Sequence, residues 1–327
     1  MKTLFCPPCA GEGVTAPLSV SLQCGACGRQ WPVLAGGTDF IAVLLPDPDA
    51  AARMVGLVSA MLRDPGQLAT WLDSGDALEA AMAGGLLTYA QAHFGGCAVP
   101  PLPAADLGWL LRAWTDDLPA GPIGLLGCAT GGEAWAMRHV AAMRDRTVWL
   151  VDANLAALAW GQMLFDNGSV VLPHRTSATR IDWRTTQLPE AAPNVRWLCA
   201  DALFPPFAAG SLSAVVTLNL LDSISDPFAL VQQVEALLAP GGVWILASPW
   251  NWQTSVTPPK RQLERHIPGE DVDQGIVDLV TGRTLAGLGD GLQVEWRADD
   301  VPWRLQVHPR FAAHYRLQVV RLRKSSQ

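Results

Sequence analysis

The stretch GPIGLLGCATGG, residues 121–132, holds the residue types with the clearest chemical potential. An apolar run at Ile123–Leu126 predicts a buried strand, and a helical pattern follows over residues 133–143. Glycines between the two let a ligand lie against bare backbone, and the start of the helix offers free N–H groups. The stretch therefore predicts a turn that binds a nucleotide or a nucleoside, although a glycine turn alone is weak evidence.

An acidic residue strengthens that prediction. Asp152 lies about twenty residues beyond the glycines, directly after a second predicted strand over residues 147–151. In α/β folds that bind nucleosides, an acid at this position accepts hydrogen bonds from the ribose hydroxyls. Asp152 is therefore the predicted ribose ligand.

The elements that must position these residues alternate between strand and helix over residues 121–248, which predicts a parallel sheet with helices on both faces. Ligands of such sheets lie at the carboxyl ends of the strands. Asp201, Asn219 and Asp222 each follow a predicted strand. Asp201 either contacts the ligand or caps its own loop. Asp222 either faces the reaction or caps the next helix, a position for which Asp226 is better placed.

Five motifs, in order, resemble those of a class I S-adenosylmethionine (SAM)-dependent methyltransferase over roughly residues 120–250. They are GCATG at 127–131, Asp152, CADA at 199–202, NLLD at 219–222 and LAPGG at 238–242. The resemblance implies a Rossmann-like α/β fold and SAM as cofactor. The cofactor-binding residues that it implies are Gly127, Cys128, Ala129, Gly131, Asp152, Ala153, Asp201, Ala202 and Asn219. Asp201 and the backbone of Ala202 would contact the adenine.

Within this superfamily the chain is most similar to the domain that N-methylates mercaptohistidine in ovothiol biosynthesis, through GCATG, NLLD and the run SPWNW at 248–252. That resemblance implies N-methylation of a small amine or of an imidazole-containing metabolite. Two positions depart from the usual pattern, because Leu125 replaces an acid and Ala129 replaces a glycine. A non-catalytic scaffold with this fold is therefore one alternative function. An RNA-base methyltransferase with a zinc module is another.

The first fifty residues contain two Cys-x-x-Cys pairs separated by fourteen residues: Cys6 and Cys9, then Cys24 and Cys27. Four thiolates at this spacing suit one tetrahedral zinc ion that stabilises a small module, with a disulfide pair as the alternative. Residues 1–45 are therefore predicted to form a zinc ribbon. The ribbon resembles the small zinc-ribbon activator of RNA- and protein-modifying methyltransferases, which implies that it packs on the catalytic domain.

Residues 46–120 show several helical patterns, one of them over residues 104–114, and are predicted to form either a helical linker or a lid over the substrate. Tyr89 and His93 lie one turn apart on one face of such a helix. Both are candidate substrate contacts, although a lone histidine is more often structural. Residues 121–327 are then the predicted methyltransferase domain.

Candidate substrate and catalytic residues also lie in the last third of the chain. Trp250 and Trp252 follow the predicted fifth strand and either wall a planar or cationic substrate or pack in the core. Two final strands are predicted over residues 292–298 and 315–323, and the loop between them is expected to return to the active site. Its His308 is a candidate base, together with Asp222.

Composition limits the partners. Half of the residues are hydrophobic, 16% are charged and the net charge is −7, which favours a globular enzyme and makes nucleic acid an unlikely partner. The sequence contains neither a long uncharged apolar run nor a signal-peptide pattern, so no membrane span and a cytoplasmic location are expected. The expected acceptor is a small molecule.

Overall fold

The computed structural model describes residues 4–35, 39–104, 115, 117–140 and 146–326. Its α-helices are α1 (Pro7–Gly11), α2 (Pro48–Arg63), α3 (Gln67–Leu72), α4 (Ala77–Phe94), α5 (Gly132–Ala136), α6 (Leu155–Asn167), α7 (Pro227–Leu237) and α8 (Val272–Val280). The strands are β1 (Val33–Ala35), β2 (Phe40–Leu44), β3 (Ile123–Leu126), β4 (Val148–Asp152), β5 (Ser169–Arg175), β6 (Ile181–Gln187), β7 (Arg196–Ala200), β8 (Leu212–Leu218), β9 (Leu238–Ser248), β10 (Leu292–His308) and β11 (Phe311–Lys324).

Nine of these strands form one sheet in the order β1-β2-β7-β4-β3-β8-β9-β11-β10. Strands β2, β7, β4, β3, β8 and β9 run parallel, and β11 pairs antiparallel with β9. The chain order reverses between β3 and β8, so the carboxyl ends of β4, β3 and β8 border the crevice where open α/β sheets bind ligands. The predicted Rossmann-like α/β fold is confirmed.

Two apolar cores cover the two faces of the sheet. One face packs against α2, α4 and α6, through buried residues such as Met54, Leu86 and Leu158. The other face packs against α7, α8 and the cysteine-rich N-terminal module, whose Trp31 is fully buried. Residues 46–104 are thus a helical layer over the sheet, and the N-terminal module covers the opposite face. No helix among the described residues is both long and apolar enough to cross a membrane.

Helix caps explain where several elements begin. Asp76 accepts hydrogen bonds from the N–H groups of Leu78 and Glu79 at the start of α4, and Asp226 accepts one from Ala229 at the start of α7. A short polar side chain at these positions satisfies N–H groups that the helix itself leaves unpaired. The cap at Asp226 agrees with the sequence analysis.

Three local predictions differ from the structure. Residues 299–314, expected mostly as a loop, belong to the hairpin β10–β11, because buried Trp303 and Leu305 alternate with exposed Pro302 and Arg304 and all four pair across the two strands. Helix α5 ends at Ala136, shorter than predicted. The expected turn before the fifth strand lies within β9, where Gly241 has a φ of +73°. The helix predicted over residues 104–114 falls almost entirely outside the described residues.

Candidate active site

The glycine-rich turn joins β3 to α5 through backbone conformations that few residues adopt. Gly127 and Gly131 have φ values of +76° and +85°, and Ala129 has one of +46°. A Cβ on Gly131 would lie 2.7 Å from the ring of Trp197, so only glycine fits. The positive φ of Ala129 is a strained backbone conformation of a kind that often occurs at functional sites. The turn is thus held open with its backbone bare towards the crevice.

Asp152, the last residue of β4, fixes this turn from the neighbouring strand. Its Oδ2 accepts a hydrogen bond from the N–H of Ala129 at 2.8 Å, and its Oδ1 accepts one from the N–H of Asn154 at 2.7 Å. Burial raises the pKa of Asp152 above its ordinary value, and these N–H donors act in the opposite direction. Each oxygen keeps a second lone pair, which is what two ribose hydroxyls require.

Helix α4 contacts the same turn through the side chain of His93. The Nδ1 of His93 lies 3.0 Å from the N–H of Gly132, which donates to it, and 2.8 Å from the hydroxyl of Thr130. Its Nε2 lies 3.9 Å from a carboxylate oxygen of Glu133. Burial lowers the pKa of His93 to about 3 and raises that of Glu133 to about 8. His93 therefore supports the turn as a neutral ring, with Nδ1 already engaged.

A cavity of about 160 Å³ lies at the carboxyl ends of β3, β4 and β8. Its lining combines the turn, the acid and helix α4: Gly85, Tyr89, Gly127, Ala129, Asp152, Asn154, Leu218, Asn219, Leu220 and Ser223. The structure thus brings together five residues singled out in the sequence, namely Tyr89, Gly127, Ala129, Asp152 and Asn219. Cys128 and Gly131 complete the turn but do not line the cavity.

Asn219 lies in the cavity wall in a left-handed backbone conformation. Its φ is +53°, and its N–H donates to the carbonyl of Ala247, which fixes the side chain at the end of β8. Among the described residues, nothing donates a hydrogen bond to its buried Oδ1. A buried acceptor without a donor is costly, so Asn219 is prepared to accept an N–H or O–H group from a ligand.

Asp222 lies three residues further on and is 2% exposed. Its Oδ2 accepts the N–H of Asn251 at 2.8 Å, and its carbonyl accepts the N–H of Gln253. Desolvation raises the pKa of Asp222 to about 6. Asp222 does not cap α7, a role that Asp226 fills, and it does not line the cavity, although its neighbour Ser223 does. It anchors the loop after β9 through Asn251 and Gln253.

The residues predicted to contact the adenine follow strand β7, which lies beside β4 in the sheet. Asp201 follows β7 and accepts the N–H of Leu203 through Oδ1 at 2.9 Å, so it does cap its own loop. It is partly exposed, whereas Ala202 is buried. Ala153, Asp201 and Ala202 lie outside the cavity lining, directly after the adjacent parallel strands β4 and β7. Their contact with a cofactor stays a prediction.

The remaining candidates are not brought to the cavity. Trp250 and Trp252 stack on one another with ring centres 6.5 Å apart and pack against the core that contains α7 and α8. His308 ends strand β10 beside the hairpin turn, where its Nδ1 accepts the N–H of Arg310 and its ring contacts Phe311. None of the three lines the cavity.

The sequence analysis missed the residues that connect α4 to the site. The Nδ2 of Asn154 donates to the carbonyl of Met82, and its Oδ1 caps α6 by accepting the N–H of Ala157. Gly85 and Asn154 both line the cavity, and a Cβ added at Gly85 would lie 2.5 Å from the side-chain nitrogen of Asn154. The only available signal was an asparagine directly before a helix, which is typical of a cap and says nothing of Met82 or Gly85.

Four cysteines of the N-terminal module converge. The sulfurs of Cys6 and Cys27 lie 3.8 Å apart, as do those of Cys9 and Cys24, and all four are within 4.8 Å of one another. Sulfurs placed about 2.3 Å from one tetrahedral zinc ion lie about 3.8 Å apart, whereas a disulfide needs about 2.05 Å. The arrangement fits a four-thiolate zinc site and excludes the paired disulfides.

Backbone hydrogen bonds join the cysteine module to the α/β domain. Strand β2, within the predicted ribbon, pairs in parallel with β7 through Ala42, Val43 and Leu44. The N–H of Phe5 donates to the carbonyl of Pro206, in the loop that follows Asp201. The module is therefore packed directly on the α/β domain.

Comparison with known proteins places this site in a family. Residues 126–246 match the family described as a methyltransferase domain. No curated protein sequence matches the chain. Similar solved structures include a SAM-dependent methyltransferase of Methanosarcina mazei, at 14% identity and a TM-score of 0.41, with 67% of this chain and 98% of that chain covered.

Two further similar structures differ in what they methylate. One is a 16S rRNA adenine N1-methyltransferase of Catenulisporales acidiphilia, at 16% identity and a TM-score of 0.39, with 71% of this chain and 96% of that chain covered. The other is a phosphoethanolamine N-methyltransferase of Haemonchus contortus in complex with SAM, at 18% identity and a TM-score of 0.31. The similarity covers 43% of this chain and 27% of that chain. The family match spans the glycine turn, Asp152, Asp201 and Asn219. The protein is therefore an enzyme, and residues 126–246 form a class I SAM-dependent methyltransferase domain.

Proposed function

We propose that the protein methylates a nitrogen atom of a small amine or imidazole-containing metabolite. The observation that carries this proposal is the orphaned Oδ1 of Asn219, buried in the wall of the cavity. An amide oxygen accepts hydrogen bonds but cannot donate them, so it favours a methyl acceptor that carries a hydrogen-bond donor, as a neutral amine or an imidazole does. In an amine, Asn219 would hold the attacking nitrogen itself, with its lone pair free. In an imidazole, Asn219 would hold the N–H nitrogen, and the other ring nitrogen, whose lone pair is free, would attack.

The residues present fit SAM. Asp152 has a free lone pair on each oxygen for the ribose hydroxyls, and the backbone at Gly127 and Ala129 is bare towards the cavity. At about 160 Å³ the cavity is smaller than ordinary ligand pockets of about 300–1,000 Å³, so it would hold only part of the cofactor. The adenine would then lie towards Asp201 and Ala202. When bound, SAM supplies an electrophilic methyl group carried on a sulfonium.

The side chains around the cavity orient the acceptor and keep water away from it. Tyr89 stays a neutral phenol, because burial raises its pKa, and so presents a rigid wall with a hydroxyl group. Asp222 has a pKa near 6 and is largely ionised at neutral pH, so it is the candidate group to hold the proton that a protonated amine must lose. His308 takes no part in this proposal. Positioning and desolvation account for most of the expected rate enhancement.

We also propose that Cys6, Cys9, Cys24 and Cys27 hold a structural zinc ion. All four ligand positions of a tetrahedral ion would be filled by protein, which leaves no open position for catalysis. Three of the four cysteines are buried. The ion would stabilise a module whose own core is too small to fold without support.

The experiment is a product assay. The zinc-loaded protein is incubated with SAM and a panel of small amines and imidazoles, S-adenosylhomocysteine is quantified, and the new methyl group is located by NMR. N-methylated products are expected. A methyl group found on oxygen, sulfur or carbon, or SAM binding without transfer to any nitrogen compound, would contradict the proposal.

A further inference from the structure

The outer part of the hairpin β10–β11, residues 301–317, differs in charge from the rest of the chain. It contains three arginines, two histidines and no acidic residue, whereas the whole chain carries a net charge of −7. Strand β11 pairs with β9 only from Gln318 onwards, opposite Ser248 at the carboxyl end of β9. The segment therefore projects beyond the sheet on the side where the cavity lies.

The two faces of this segment have different characters. Trp303 lies opposite Tyr315 on the inner face, and their rings stack with centres 5.3 Å apart. On the outer face Arg304 lies opposite His314, and Arg316 is the diagonal neighbour of Arg304. The inner face packs against the core that contains α4, and the outer cations are exposed.

The two faces meet at a second cavity of about 480 Å³, within the size range of ligand sites. The residues that line it are Ala104, Pro302, Trp303, Arg304, His314, Tyr315 and Arg316. Within the described part of the chain neither arginine forms an ion pair: Arg304 donates to the side chain of Gln306, and Arg316 donates to the carbonyl of Asp300. Their positive charges are therefore available to a ligand.

Tyr89 and Tyr315 connect this second cavity to the methyl-transfer cavity. Tyr89 lines the first cavity and Tyr315 lines the second. Helix α4, which carries Tyr89, packs against strand β10, and the side chains of Tyr89 and Tyr315 pack against the same apolar core. The carboxylate of Asp152 lines the first cavity. The region is therefore acidic at the end where the methyl group would be transferred and cationic at the other end.

We propose that the second cavity binds the anionic part of the methyl acceptor, a planar organic anion whose carboxylate or phosphate group lies between Arg304 and Arg316 and whose nitrogen reaches Asn219 in the first cavity. Its ring would pack against the stacked pair Trp303 and Tyr315. Guanidinium groups bind both kinds of anion with charge-assisted hydrogen bonds. The proposal rests on the proposed function, because it assigns the acceptor site of that reaction.

The test measures binding without turnover, so its outcome is separate from that of the methyl-transfer assay. Saturation-transfer NMR on the protein loaded with S-adenosylhomocysteine compares indole-3-acetate with 3-methylindole, and phenyl phosphate with phenol. We expect at least one anion to bind about tenfold more tightly than its neutral partner, and the preferred pair distinguishes carboxylate from phosphate. The double variant Arg304→Gln/Arg316→Gln should lose that preference. The control Arg63→Gln/Arg180→Gln, at exposed sites elsewhere, should keep it.

Three results would overturn the proposal. The first is equal binding of both members of each pair, or binding of neither. The second is an anion preference that survives in the double variant. The third is tight, salt-sensitive binding of an oligouridylate that requires Arg304 and Arg316, with no binding of the small anions. The hairpin would then be a nucleic-acid docking surface.

Discussion

Replacement of His93 tests whether helix α4 is part of the cofactor site. In His93→Ala the N–H of Gly132 loses its acceptor, which costs about 1–3 kcal/mol, and removal of a side chain that is only 3% exposed adds a cavity penalty. We expect a total loss of about 3–5 kcal/mol in the free energy of unfolding. Because the affected N–H belongs to the glycine turn, the Kd for SAM should also rise by about tenfold, equivalent to about 1.4 kcal/mol.

A matched variant separates the hydrogen bond from the lost volume. In His93→Asn the amide oxygen can occupy the place of Nδ1 and accept the same N–H, so SAM affinity should return to within about threefold of the wild type. Urea denaturation and calorimetric SAM titration measure the two effects. His139→Ala is the control, since that side chain is 49% exposed. Unchanged SAM affinity in His93→Ala, or equal losses for the alanine and asparagine variants, would refute the role assigned to His93.

Three further predictions concern the surrounding groups. Glu133 has a folded-state pKa near 8 against an ordinary 4.5, so its contribution to stability is complete below about pH 4.5 and is lost as the pH rises through 8. Urea denaturation should therefore show that Glu133→Gln is more stable than the wild type at pH 9 but not at pH 4. If the difference in the free energy of unfolding between the two proteins does not change with pH, the carboxylate is not buried. Asn219→Gly should unfold no more readily than the wild type, because a φ of +53° suits glycine, yet its kcat should fall at least tenfold for loss of the acceptor oxygen. A wild-type kcat in this variant would exclude Asn219 from acceptor binding. Removal of zinc by a chelator, or the substitution Cys9→Ser, should lower the Tm and release the cysteine module from β7. The release would be measured as faster amide exchange in β2. The control Cys97→Ser should show neither effect.

The central part of the site was predictable from the sequence because it depends on local chemistry. Glycine in the turn, an acid after β4 and an asparagine after β8 each follow from what one strand end must present, and strand Ile123–Leu126 has the predicted bounds. The cysteine spacing likewise identified the four residues that converge.

The parts that sequence reasoning missed depend on contacts between distant segments. His93 was weighed as a substrate contact, but its position against Gly132 becomes evident only when α4 is packed on the sheet. The hairpin was predicted as two short strands, because prolines and register shifts near Val301 interrupt the regular alternation. Strand β2 was assigned to the ribbon, since its pairing with β7 spans most of the domain and leaves no local signal.

The most direct test of the account is a calorimetric titration of the zinc-loaded protein with SAM, with Asp152→Ala alongside. Asp152 is placed to hold the ribose and fixes Ala129, so we expect micromolar-range binding by the wild type and a loss of about 1–3 kcal/mol in the variant. An Asp152→Asn variant, which keeps the shape of the side chain, should fall between the two. If the wild type does not bind SAM, or if Asp152→Ala binds it equally well, the cavity at the ends of β3, β4 and β8 is not the cofactor site.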